Sequence, residues 1–162
     1  MEQMVSCKCG RVQMHVVGEP FYNSACHCDD CQAGWHYVEA LEGAVPVVDE
    51  RGGTEYLFYR QDRVDFIKGR ELLRAHKLRP DSPTQRFYAG CCNSPMYSER
   101  EKMHYLPLIR ARFGPDAPPR ERNHYTKFST QQPFEGGDLP DNSGVPPRLV
   151  LKLIWVELLA LF

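Results

Sequence analysis

Cys26, Cys28 and Cys31 fall within the six-residue run Cys26-His27-Cys28-Asp29-Asp30-Cys31. Thiolates are ligands that zinc favours, and three of them on one tetrahedral ion leave its fourth position open. An open position is what separates a catalytic zinc from a structural one, which four protein ligands close. The other four cysteines form two further clusters, Cys7-Lys8-Cys9-Gly10 and, far downstream, Cys91-Cys92. Residues two apart on an extended segment face the same side, so Cys7 with Cys9, and Cys26 with Cys28, can each present two sulfurs to one ion. Cys31 follows Cys28 at the spacing of a metal knuckle. His27 then points away from the sulfurs, available to support the ligands or to touch a substrate.

Two other readings of the cysteines compete. Free cysteines are often simply buried, but seven of them in three short clusters with ligand spacing favour a metal. Cys28-x-x-Cys31 also has the spacing of a disulfide-exchange pair, which belongs at a helix start. The flanking sequence reads mainly as strand and Cys26 is left over, so redox exchange is the weaker reading. An odd cysteine count fits full disulfide pairing poorly, and a motif beginning at Cys7 leaves no room for a secretory signal. The expectation is a cytoplasmic, reducing location, where clustered cysteines serve as ligands.

The elements that must position these residues read mainly as β. Val12, Met14 and Val16 alternate with Gln13 and His15, the period of a strand. Residues 21–25 read as a short strand feeding the central cluster. Gly52-Gly53 is a turn before strand-like residues 54–60, and 64–68 is a further strand. Residues 72–78 are ambiguous between helix and strand, as are 103–109. Residues 85–88 run as a strand into Cys91-Cys92, and 96–98 return as its partner. From 114 to 148, seven prolines and two turn signals break any long element, leaving an extension with one short helix over 120–128. Residues 149–162 read as an apolar terminal helix, too short for a bilayer; docking on the domain is favoured over a membrane-surface element, and a homo-oligomer contact is a third use.

A chain of 162 residues suits one domain with a real core. Its 20 basic and 21 acidic residues nearly cancel, against the basic surplus of a nucleic-acid binder. Neither a nucleic-acid nor a membrane partner is expected.

The series Cys7-x-Cys9-Gly10, then Cys26-His27-Cys28-x-x-Cys31-Gln32, then an aromatic segment and Cys92-x-Ser94-Pro95 resembles the glutathione-dependent formaldehyde-activating enzyme family, which includes centromere protein V. The resemblance covers roughly residues 5–110. It implies a mainly β, Mss4-like fold of small coiled antiparallel sheets around zinc sites, here with a C-terminal helix. The chain then divides into a zinc-binding β region (1–113), a Pro/Gly-rich extension (114–148) and the apolar helix (149–162) of the same domain. The resemblance also implies one or two zinc ions: a structural one on the first and last cysteine groups, and a catalytic one on Cys26, Cys28 and Cys31. The family's activity joins formaldehyde to glutathione, a carbon–sulfur lyase reaction of the S-(hydroxymethyl)glutathione synthase type. One departure stands out. Where the family has Cys-x-x-Cys-Gly, this chain has Ala89-Gly90-Cys91-Cys92-Asn93. Either Cys91 supplies the missing sulfur through a tighter turn, which we favour, or the structural site lacks its fourth ligand. Asn93 for glycine is mild, because Asn tolerates a left-handed backbone.

The enzyme expected from this resemblance holds a small-molecule thiol, glutathione above all, as the nucleophilic thiolate for attack on a small carbonyl carbon. Glutathione carboxylates want cationic partners, and Arg11, Lys68 and Arg86 lie near the motifs. Arg86, His27 and Trp35 are the candidate substrate-binding residues, with His36 beside them. The alternative is a zinc-stabilised binding module without turnover. A histidine closing the central site (His27, His36 or His104) would favour that module, because four ligands mark a structural zinc.

Overall fold

The computed structural model describes residues 2–160. Its first strands are β1 (Glu2–Ser6), β2 (Gln13–Val17) and β3 (Tyr22–Cys26), followed by helix α1 (Asp29–Glu39). Then come β4 (Thr54–Arg60), β5 (Val64–Lys68), β6 (Leu73–His76), β7 (Thr84–Ala89), β8 (Ser94–Arg100) and β9 (Tyr105–Ile109). Two-residue strands β10 (Asn123–His124) and β11 (Asp141–Asn142) precede helix α2 (Pro147–Leu159). Strands β1, β2 and β5 form one sheet, and the other eight form a second in the order β11-β10-β3-β4-β9-β8-β7-β6. Pairing is antiparallel except where β10 meets β3 and β11.

Strand β4 explains the layering. Successive strand side chains point to opposite faces, and both faces of β4 are covered. Leu57 and Tyr59 join Val5, Met14 and Val16 of the small sheet in one apolar cluster. Tyr56 and Phe58 join Trp35 and Val38 of α1 and Leu149 and Val156 of α2 in another. The large sheet thus lies between the small sheet and the two helices. On α2, Leu151, Ile154, Trp155 and Leu158 remain exposed. The Lys152 ammonium donates to the Phe21 carbonyl, and Glu157 pairs with His104 at 2.7 Å, so the helix is tied at its middle and near its C-terminal end.

The mainly β character and the C-terminal helix match the sequence reading. Residues 73–76 and 105–109 resolve to strands. Two elements differ. The segment after Cys28 is helical rather than extended: Cys28 caps α1, its sulfur accepting from the Cys31 N–H, while Asp29 and Asp30 fill the first turn. Acidic side chains there complement the positive helix end, and Trp35 and Val38, three apart, give the helix its buried face. The short helix expected over 120–128 is instead strand β10 and one turn over Thr126–Phe128. Backbone pairing of Asn123 with Ala25 and His124 with Cys26 holds that segment extended, and Tyr125 turns it with a φ of 57°. The expected helix over 149–162 begins earlier, at Pro147, whose missing N–H costs nothing in a first turn; Leu161 and Phe162 lie outside the described residues. No helix among the described residues is long and apolar enough to cross a membrane.

Candidate metal centres and the adjoining cavity

Two turns bring the outer cysteines together. Cys7 and Cys9 lie in the β1–β2 connection, where the Gly10 N–H returns to the Cys7 carbonyl with the glycine at a φ of 73°. Cys91 and Cys92 lie in the β7–β8 turn, closed by the Cys92 N–H on the Ala89 carbonyl and by Asn93 at a φ of 51°. Ser94 fastens the turns to one another: its hydroxyl accepts from the Lys8 N–H at 3.0 Å and sits 3.1 Å from the Cys92 sulfur. The sulfur separations are 3.6 Å for Cys7–Cys9, 3.9 Å for Cys7–Cys91, 3.4 Å for Cys9–Cys91 and 4.0 Å for Cys91–Cys92. All four sulfurs lie within 4.8 Å of one another and could hold a metal ion. The chain therefore turns tightly enough for Cys91 and Cys92, though adjacent, both to join Cys7 and Cys9.

The central cysteines form a separate group. Cys26 ends β3, Cys28 caps α1, and Cys31 lies in its first turn. Their sulfurs also lie within 4.8 Å of one another, with Cys26 and Cys28 at 3.4 Å, and could hold a second ion. All seven cysteines are free thiols. The Tyr56 hydroxyl donates to the Cys31 sulfur at 3.5 Å and accepts from the Trp35 indole N–H. Hydrogen bonds from Cys26 and Cys28 push the Cys31 thiol well below its ordinary value against the opposing effect of burial, and the Arg86 charge and Tyr56 hydroxyl add to the effect.

A cavity of about 340 Å³ opens beside this group. Cys26, Cys31 and Tyr56 form one wall, Arg86, Ser98 and His124 are among its polar lining residues, and Phe58, Tyr105, Leu149 and Leu153 are among its apolar lining. Of the substrate-binding candidates, Arg86 reaches the cavity. Trp35 does not: it is fully buried in the helix-side core and acts on Cys31 only through Tyr56. A large, mainly apolar ring gains most by full burial, and its one N–H finds a partner in Tyr56. His27 is buried on the far side, as the alternation of the motif requires, with Nδ1 3.4 Å from the His124 carbonyl and its ring edge-on to Phe134. His36 is exposed and paired with Glu39 at 2.9 Å, and His104 is held by Glu157. Neither these nor His27 joins the three-sulfur group among the described residues. Arg11 and Lys68 are also absent from the cavity wall.

Sequence reasoning missed Ser98 and His124. His124 lies in the Pro-rich extension, where no local spacing marks it, and reaches Cys26 only because β10 pairs alongside β3. Burial pushes its imidazole down to about 4, so the ring is neutral, and Nδ1 has no partner.

A mainly β framework with two convergent thiol groups, one of four sulfurs and one of three beside a cavity, defines the class of protein. The chain belongs to the family of unknown function DUF6151, whose profile matches residues 2–112. The cavity residues His124, Tyr125, Val145, Leu149 and Leu153 lie beyond that match. No match was found among curated proteins. Among solved structures, a Rhodobacter sphaeroides protein determined as a structural-genomics target is similar, at 12% identity and a TM-score of 0.48, over 85% of this chain and 98% of that one.

Proposed function

We propose that the protein is a zinc-dependent enzyme of the carbon–sulfur lyase type that adds a thiol such as glutathione to a small aldehyde, on an Mss4-like framework. The observation that carries this is the three-sulfur group of Cys26, Cys28 and Cys31, which faces a cavity and which no further Cys, His, Asp or Glu completes among the described residues. The donor chemistry fits zinc. Ligands at the usual zinc–thiolate distance stand about 3.8 Å apart around a tetrahedral ion, and the closest sulfur pairs span 3.4 Å to 4.0 Å in the four-sulfur group. That group, with Cys7, Cys9, Cys91 and Cys92, is the structural site in this reading.

Bound zinc would supply Lewis acidity and hold the substrate thiol as its thiolate. The chain's residues do the rest. The positive end of α1 and the Arg86 guanidinium favour negative charge at the sulfur group. The thiolate sulfur donates its electron pair to the carbonyl carbon, the C=O π pair moves to oxygen, and the proton lost by the thiol ends on that oxygen as a hydroxyl. The His124 ring, neutral and unpaired at Nδ1, offers the developing hydroxyl a hydrogen-bond partner. The apolar wall keeps bulk water from the reacting atoms.

The test is exchange NMR of glutathione with formaldehyde, using zinc-loaded protein and Cys28→Ser against the spontaneous rate. Acceleration that disappears in the variant is expected. No acceleration by folded, zinc-loaded protein would overturn the reading and leave a metal-stabilised binding module.

A further inference from the structure

Among the described residues, Arg86 is the one Arg, Lys, Asp or Glu side chain that the fold buries, with 2% of its surface exposed. A buried cation without an ionic partner is strongly destabilising, yet no carboxylate among the described residues pairs with it. One guanidinium nitrogen donates to the Asp30 main-chain oxygen, while Nε and Nη1 have no partner. The Asp30 carboxylate lies toward Arg79 instead, at 4.0 Å. Ser98, directly across the strand pair from Arg86, has a buried and equally unpartnered hydroxyl. Both residues line the cavity beside Cys31. Helix α1 makes room for the arginine with Gly34, where a Cβ would collide with the guanidinium stem.

We infer that this cavity binds an apolar monocarboxylate, its carboxylate held by Arg86 and Ser98 and its body against Phe58, Tyr105, Leu149 and Leu153. The planar guanidinium fork suits a carboxylate, with two parallel N–H donors for two oxygens. A sulfur group beside it offsets charge but cannot use that fork. Arg100 and Glu99 at the same cavity oppose one another in sign, and Glu99 also accepts from Gln61 at 3.5 Å. A volume of about 340 Å³ admits a small ligand, near the low end of small-molecule pockets. In the proposed reaction the monocarboxylate is the carbonyl partner, an aldehyde that also carries a carboxylate and an apolar body; that last step rests on the thiol-addition reading, whereas binding does not.

Calorimetric titration of the full, zinc-loaded chain with phenylglyoxylate and with its methyl ester tests this. The acid is expected to bind about tenfold or more tightly than the ester, since only the acid forms charge-assisted hydrogen bonds. Arg86→Gln should bring the two affinities together, Arg86→Lys should keep part of the preference, and Leu153→Trp should block both probes. Should Arg86→Gln fail to fold, Ser98→Ala, expected to weaken the acid alone by a few-fold, carries the same comparison. Equal binding of acid and ester, or no binding of either, would overturn the inference. Acid-selective binding without accelerated thiol addition would uphold it and remove the proposed reaction instead.

Discussion

Tyr56 occupies the junction between the core and the three-sulfur group. Its hydroxyl accepts from the buried Trp35 N–H and donates to Cys31, so a single oxygen links the indole to the sulfur group. Tyr56→Phe is expected to cost about 1–3 kcal/mol, the penalty for leaving a buried donor unmade, read as a lower denaturation midpoint. Gly34 gives a second residue-scale test. Glycine to alanine inside a helix ordinarily stabilises by about 1 kcal/mol, but here the new methyl meets Arg86. Gly34→Ala should therefore destabilise the protein, and the loss should shrink or reverse sign in an Arg86→Ala background. Equilibrium unfolding of the four chains in that cycle measures the coupling.

At the scale of elements, the β7–β8 turn decides whether the outer metal site exists. Adjacent residues on a straight strand face opposite sides, so Cys91 and Cys92 share one site only because the turn bends between Ala89 and Asn93. Cys91→Ser should lower bound zinc from two ions per chain to one in native mass spectrometry while sparing the ion at Cys28; Cys28→Ser should do the reverse. Cluster spacing and the alternating strands were legible in the sequence because both are patterns among near neighbours. Helix α1 was legible in principle, through Asp29, Asp30 and the Trp35–Val38 spacing, but reading the flanking sequence as mainly strand obscured it. The knuckle spacing is compatible with the helix, since a helix start presents Cys28 and Cys31 on the same side. Strand β10 was not legible, because its two residues are extended only through their partners on β3.

For the molecule as a whole, the four-sulfur group links the small sheet to the β7–β8 hairpin of the large one, joining positions 7 and 91 across about half the chain. A metal there ties two layers together and contributes its binding energy to folding. Chelation should lower the melting temperature, zinc should restore it, and the dependence on chelator should fall sharply in Cys91→Ser. The sequence by itself determined the residues able to bind metal, their grouping, the mainly β character and the terminal helix, because spacing and periodicity are set by covalent neighbours. Only the tertiary structure decided which groups meet. It set Cys91 and Cys92 beside Cys7 and Cys9, drew Trp35 behind the site and brought His124 beside Cys26. The cavity is assembled from β3, α1, β4, β7, β8, β9, β10 and α2. Its polar end depends on Arg86 and Ser98 facing each other across two strands, and its apolar wall on a helix more than a hundred residues from Cys26. Contacts at such separations follow from packing and strand register, which no local pattern encodes.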